Sequence, residues 1–298
     1  MYSMKSRLSD IGEFRFIEEI TRLNHTGLSV VKGIGDDCAV LKYKNSKHLL
    51  FATDILVEGV HFTRDKATPE EIGRKALAVN ISDIAACGGL PKHAVVSVAL
   101  PPGVSHNYAI RLYKGIESMA RHFKVNLVGG DMSSSERIVI SVAILGEVSK
   151  KDIILRSGAR NKDAIVLTGP LCMRPDHLLF MPKIKESQFI VRKLDASAMI
   201  DISDGFLSDL EHILKRSKKG ALIYESLIPC KTKRYSLKRL LNTGEQFELL
   251  FTMPAKRLDM LPKVFYPVGE IVSGNATITL VDSLGKKNKV KPEGYTHF

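Results

Sequence analysis

Tryptophan is absent from this chain of 298 residues, and its four cysteines lie far apart. Cys38, Cys87, Cys172 and Cys230 form no C-x-x-C pair and have no histidine at metal-ligand spacing, which excludes a disulfide scaffold and a zinc ribbon. They read as small buried residues. No apolar run reaches the roughly 18 residues that span a bilayer. The longest, Ala94–Leu100 and Ile138–Leu145, are strand-sized. The opening MYSMKSRLSDIGEF lacks the apolar stretch of a secretory leader, so the cytoplasm is the expected compartment. There is no G-x-x-x-x-G-K-[ST] phosphate loop and no kinase H-R-D with D-F-G. Any handling of nucleotides must therefore use another fold.

What is present is an ordinary globular composition, 44% apolar and 26% charged, with a net charge of +12. The basic residues scatter. Their densest groups, Lys215–Lys219, Lys231–Arg239 and Lys286–Lys291, have few stacking aromatics between them. A nucleic-acid groove needs a basic stripe with interleaved aromatics, so no nucleic-acid partner is expected, and no membrane.

The length allows two domains, and helices and strands alternate on both sides of Ser149–Asp152. Residues 1–150 and 151–298 are the expected units of an α+β fold. Strands are predicted over His48–Asp54, Ala94–Pro101, Arg137–Val148, Asp163–Gly169 and Ala198–Gly205, with a short one at Val125–Asp131 ending in a Gly-Gly turn. One helix starts at Thr68-Pro69 with Glu71 at capping-box spacing and ends at Gly88-Gly89. Another runs from Gly205 and is expected to close at Gly220.

Carboxylates carry the chemical signal. In GIGDDCAVL, Asp36 and Asp37 adjoin; two such charges about 4 Å apart cost on the order of 4 kcal/mol at an effective dielectric near 20. In the first helix, Ile72, Ala76, Val79, Asp83 and Cys87 share one sector, while Glu70, Glu71, Arg74 and Lys75 lie on the other side. Asp83 thus stands in an apolar stripe, where aspartate requires a partner. Asp54 ends a strand, Asp131 follows Gly129-Gly130, and Asp201 and Asp204 bracket the DISDG turn. Each alone reads as a turn or cap residue. Together, and mostly without a cationic neighbour in sequence, they fit a site for divalent cations such as Mg²⁺, which is held by a few carboxylates plus substrate phosphates.

GIGDDCAVL, TDILVEGVHF, ALAVNISDIAACGGLPK, NLVGGD, RSGARNKD, IDISDGFLSDLEHI and GYTHF, in this order, resemble the thiamine-monophosphate kinase family over most of the chain. That family belongs to the aminoimidazole-ribotide synthetase-like superfamily. The resemblance implies a β-rich, dimerising, ATP-binding N-terminal domain and a C-terminal α/β domain. It implies transfer of the ATP γ-phosphoryl group to thiamine monophosphate, with several Mg²⁺ ions and a homodimer. Carried over residue by residue, the metal ligands are Asp37, Thr53, Asp54, Asp83, Asp131, Asp201 and Asp204. The ATP contacts are Gly130, Asp131, Arg156 and Ser203, and the contacts to thiamine monophosphate are His61 and Glu245. Tyr113 is a candidate near the adenine.

Three positions depart from the family. Ala52 replaces a hydroxyl residue before Thr53-Asp54, Gln246 replaces an acid after Glu245, and the segment after Gly169 is short. These motivate the alternative of a degenerate, non-catalytic nucleotide-binding member, against which stands retention of all seven metal-type side chains. Selenophosphate synthetase and the hydrogenase-maturation factor fit less well, since no reactive N-terminal cysteine arm and no terminal cysteine are seen. The acceptor phosphate is mostly doubly ionised at neutral pH, so no general base, no Ser-His-Asp arrangement and no phosphoenzyme are expected.

Overall fold

The structure is a computed structural model that describes residues 7–24, 26–173, 176–230 and 236–297. Residues 231–235 of the second basic group, Arg174 and Pro175 in the short segment, and Phe298 of GYTHF lie outside the described residues.

The first half forms a sheet of β1 (Val30–Lys32), β2 (Ala39–Lys42), β3 (Lys47–Val57), β4 (Leu90–Leu100), β5 (Asn126–Ser134) and β6 (Val139–Ser149), in the order β1-β2-β3-β6-β4-β5. All neighbours are antiparallel except β4 and β5, whose parallel pairing is made by a crossover through a helix. The helices are α1 (Leu8–Ile11), α2 (Glu13–Thr21), α3 (Pro69–Ala86) and α4 (His106–Phe123). The second half forms a sheet of β7 (Asp163–Leu167), β8 (Ala198–Asp201), β9 (Gly220–Tyr224), β10 (Leu249–Pro254), β11 (Tyr266–Val272), β12 (Ile278–Val281) and β13 (Lys287–Val290). Its order is β13-β12-β9-β11-β7-β10-β8, with α5 (Ile184–Phe189), α6 (Phe206–Ser217) and α7 (Leu237–Leu241). The fold is α+β, as the sequence pattern predicts. Among the described residues no helix is long and apolar enough to cross a membrane.

The central helix α3 starts where its chemistry dictates. Thr68 Oγ1 accepts the Glu71 amide at 3.3 Å, Glu71 Oε2 accepts the Thr68 amide at 2.7 Å, and Pro69 fills the first turn. Its surroundings correct the two-faced reading. One side packs on β3, β6 and β4, and the other packs on α4 so closely that a Cβ on Gly73 would stand 1.9 Å from the Leu112 carbonyl oxygen. Glu70 forks with Arg111 of α4 at 2.6 and 2.9 Å, Arg74 donates to the Leu179 and Phe180 carbonyls, and Lys75 is buried. A second layer covers the side that carries Arg74 and Lys75, while the Glu70 side chain stays partly exposed.

Two turn assignments also change. Gly129 and Gly130 are within β5, where a Cβ on Gly130 would stand 1.9 Å from the Val96 carbonyl oxygen across the ladder. The glycine admits close strand approach and makes no turn. The left-handed residue that closes α6 is Lys218 (φ 53°), and Gly220 opens β9.

Alternation along β3 turns Leu50, Ala52, Asp54 and Leu56 toward α3 and Phe51, Thr53 and Ile55 to the outer face of the first sheet. Register carries that outer face through Val95 and Ser97 of β4 to Asp131 of β5. Phe51, Ile55 and Val95 are exposed there, and among the described residues no strand pairs with the far edge of β5.

Candidate active site

The turn before β2 supplies Asp37, β3 supplies Asp54, the last turn of α3 supplies Asp83 and the end of β8 supplies Asp201. Carboxylate oxygens of Asp37, Asp83 and Asp201 lie within 4.8 Å of one another, and Asp54 is in hydrogen-bonding reach of Asp83. Withdrawal from water is the main cause that pushes these acids up, reinforced by their neighbours' charge: Asp54 to about 6, Asp201 to about 7, and Asp83 well above the usual range. Ser82 Oγ steadies Asp201 at 2.6 Å, and Asn80 Oδ1 accepts the Asp54 amide at 3.1 Å.

The Asp36-Asp37 doublet is resolved by protein cations brought from elsewhere. Arg156 grips Asp37 with Nη2 at 2.8 Å and Nε at 3.3 Å, and its own amide donates to Asp36 Oδ1 at 2.6 Å. Lys32 Nζ stands 3.1 Å from Asp36 Oδ2. Lys32 and Arg156 thus supply the pair with charge that sequence adjacency hid. Asp37 remains raised, because burial outweighs Arg156. One guanidinium does not balance four carboxylates, so the cluster as a whole keeps an excess of negative charge.

Next to it, Asp204 is pushed up to about 6 by burial and by Glu13, and lies close to Asp209 and His212. Asp209 Oδ2 accepts the amides of Asp204 and Gly205 at 3.1 Å each, which fixes the DISDG turn at the start of α6. His212 is half-buried, held down to about 4 by its withdrawal from water and by Arg156, and meets Phe14 of α2 edge-on at 4.9 Å.

A cavity of about 750 Å³ opens beside the carboxylates between the two halves. Asp54 and Asp204 line it on the carboxylate side; His61, Lys75, His177 and Glu245 line the other, and Ser203, whose carbonyl accepts the Glu245 amide, joins the two. Lys75 Nζ donates to the His61 carbonyl oxygen at 2.9 Å, to His177 Nδ1 at 2.7 Å, and to Glu245 Oε1. His61 Nδ1 accepts the Val57 amide at 3.0 Å, and burial holds the ring below its usual pKa. The C-terminal tail closes one side: the Tyr295 amide donates to the Asp204 carbonyl at 3.1 Å and the His297 amide to Glu13 Oε2 at 3.0 Å.

The short segment after Gly169 forms a strap onto α3. Phe180 stacks on Phe247 at 3.9 Å, and Lys183 pairs with Glu248 at 2.9 Å. Gln246 exchanges two hydrogen bonds with the Cys172 backbone, at 2.9 and 2.7 Å. It does so as both donor and acceptor, which a carboxylate cannot do.

The structure therefore brings Asp37, Asp54, Asp83, Asp201 and Arg156 into one cluster, and Ser203, Asp204, His61 and Glu245 onto the adjoining cavity. It does not bring Thr53, Gly130 or Asp131 there. Thr53 Oγ1 donates to the Val142 carbonyl at 2.9 Å on the outer sheet face, and Asp131 and Gly130 sit exposed on β5. Tyr113 is exposed on α4. Sequence reasoning missed Lys75, His177, Asp209 and Glu13. The four-residue spacing of Lys75, Val79 and Asp83 was the available signal, since it runs along one side of α3.

Residues 35–148 match the family described as AIR synthase related protein, N-terminal domain. The thiamine-monophosphate kinase of Aquifex aeolicus (strain VF5) is 35% identical, aligned over 98% of this chain and 100% of its own. That of Bacillus subtilis (strain 168) is 31% identical over 96% of this chain and 99% of its own. A solved structure, AaThiL complexed with AMPPCP and TMP, superimposes with a TM-score of 0.86 at 33% identity, covering 99% of this chain and all of that one.

Proposed function

The chain belongs to the thiamine-monophosphate kinase family, and on that premise we propose that it transfers the γ-phosphoryl group of ATP to thiamine monophosphate, giving thiamine diphosphate and ADP. The observation that carries this reading is the excess of buried carboxylate around Arg156 at the edge of a cavity shared by both halves.

The donor set fits Mg²⁺: hard oxygens, converging from separate elements, in a place where burial, reinforced by neighbouring carboxylates, keeps them partly protonated. Asp37, Asp54, Asp83, Asp201 and Asp204 would hold the ions. When bound, they screen the repulsion between two phosphate groups and align the reacting oxygens. The chain's own contribution is placement. Arg156 adds a fixed positive fork at the phosphate end. Asp209 and the tail keep Ser203 and Asp204 at the cavity wall. His61 and Glu245 receive the organic part of the acceptor. The acceptor phosphate, with a second pKa of about 6, attacks as a dianion, so direct in-line transfer needs no base from the protein.

The reading includes a cytoplasmic homodimer with domains at residues 1–150 and 151–298. Support for the dimer is the apolar outer face of the first sheet, with Phe51, Ile55 and Val95 exposed on it. Thr53, Gly130 and Asp131 stand on that sheet face or its edge strand, so a second copy seated there is the route by which they would join a site. Loss of the family acid at Gln246 does not favour the non-catalytic alternative, because Gln246 lies outside the carboxylate cluster and anchors the strap.

A coupled assay with ATP, Mg²⁺ and thiamine monophosphate, run beside thiamine, tests the proposal. Turnover with the monophosphate and far less with thiamine supports it; no ADP release with either overturns it.

A further inference from the structure

Lys75 stands apart from the carboxylate cluster and buries a full charge at the opposite end of the cavity. Its side chain is 1% exposed. An ammonium has three N–H donors, and their partners come from three separate segments: the His61 carbonyl in the turn after β3, His177 in the strap, and Glu245 in the loop before β10. One side chain of α3 thus ties three walls of the cavity together.

Glu245 needs such a tie. Its φ is 57° and that of Phe247 is 50°, a left-handed backbone that side-chain-bearing residues keep only where their surroundings impose it. The backbone half of that constraint is on the DISDG turn: the Glu245 amide donates to the Ser203 carbonyl at 2.7 Å and the Phe247 amide to the Ile202 carbonyl at 2.9 Å. The side-chain half is Lys75. His177 does not share the task, because its Nδ1 stands 2.7 Å from Lys75 Nζ and 3.1 Å from Glu245 Oε2. Lysine only donates, so Nδ1 accepts from it and offers no proton to Glu245. Burial and the Lys75 charge both hold the ring below its usual pKa, in keeping with that role. Glu245 Oε1 is taken by Lys75, and Oε2 is left with acceptor capacity in the cavity that the residue lines.

We propose that Lys75 is the positioning residue of the acceptor pocket, holding His61 and Glu245 where they receive a cationic, amino-bearing substrate while itself staying out of contact with it. This rests on the reading under Proposed function, in which the acceptor is thiamine monophosphate. Without the ammonium, Glu245 loses its charge partner, and His177 becomes free to protonate and occupy the carboxylate that substrate needs. The ATP end is built from other residues and is unaffected.

The test compares Lys75→Met, Lys75→Arg, Glu245→Gln and the Lys75→Met/Glu245→Gln double variant, with both substrates varied and melting temperature recorded. Lys75→Met raises KM for thiamine monophosphate about thirtyfold, with kcat within about threefold and KM for ATP within about twofold. Lys75→Arg, which keeps the charge, recovers most of that loss. The double variant is no worse than Glu245→Gln by more than about threefold, since both act on one carboxylate. If Lys75→Met fails to fold, Lys75→Gln/Glu245→Gln, which replaces the ion pair with two amides, takes its place and must match Glu245→Gln alone. An unchanged KM for the monophosphate, an equal rise in KM for ATP, or additive effects in the double variant overturns the inference. A wild-type protein that does not turn over thiamine monophosphate removes the functional reading and this inference together; an active wild type with an indifferent Lys75→Met removes this inference alone.

Discussion

The two ends of the cavity treat charge in opposite ways. At one end Asp37, Asp54, Asp83 and Asp201 crowd together with Arg156 as their cation, and burial holds their protons on. At the other end Lys75 is buried with all three donors used and its charge matched by Glu245. The matched end is already organised. On the proposed reading, the unmatched end is completed by cations from solution. On that reading, the cost of ionising carboxylates buried together is offset when divalent ions and phosphate bind.

The largest expected effect breaks the unmatched end. Asp83→Asn lowers kcat/KM for thiamine monophosphate by at least about a thousandfold, or about 4 kcal/mol of transition-state stabilisation. Its melting temperature is unchanged or higher, because a neutral amide takes the place of a carboxyl whose ionisation burial already opposes. Steady-state kinetics with a melting curve checks both. A variant that melts lower while remaining active would mean that Asp83 is a structural partner and the contrast between the two ends is false.

A second, smaller effect sharpens the comparison through pH. Asp54 and Asp204 at about 6 and Asp201 at about 7 lie above the ordinary 3.8. The folded protein therefore binds protons that the unfolded chain releases. Their stabilising contribution is fully present below about pH 4 and is lost as pH rises through 6 to 7. On the proposed reading, Mg²⁺ takes the place of those protons. Hence the rise in melting temperature caused by millimolar Mg²⁺ grows between about pH 5 and about pH 8, by on the order of 5 °C. A magnesium effect independent of pH would contradict the assignment. The matched end gives no such dependence, so Asp54→Asn/Asp201→Asn flattens the response where Glu245→Gln does not.

The smallest effect concerns a departure from the family. Gln246→Asp restores the acid but removes the amide that donates to the Cys172 carbonyl, leaving a buried group unsatisfied at a cost of about 1–3 kcal/mol. Melting falls by a few degrees, and kcat/KM stays within about fivefold. A large gain in activity would instead make Gln246 a defect in the site.

Much of this contrast was legible in the sequence, but unevenly. The helix over Pro69–Ala86, the strands around Asp54 and Asp201, and the α+β class follow from caps, β-branched runs and glycine stops. The carboxylates stood out because aspartate in an apolar stripe or at strand ends is hard to place otherwise. The matched end was hidden. Lys75 was placed across the helix from Asp83, although its four-residue spacing to Val79 runs along the same side, and periodicity does not report that a strap covers it. Lys32 is four residues from Asp36 and Arg156 is 120 away, and only the fold makes both of them partners of the doublet. Gly130 read as a turn because glycine serves both tight turns and close strand approach, and the neighbour that decides between them, Val96, is distant in sequence.

The most direct test is anomalous diffraction from the protein crystallised with Mn²⁺ in place of Mg²⁺ and a non-hydrolysable ATP analogue. The account predicts peaks ringed by Asp37, Asp54, Asp83 and Asp201 beside the nucleotide phosphates, with Lys75 still bonded to Glu245. Nucleotide bound with no metal peak among those carboxylates would contradict it.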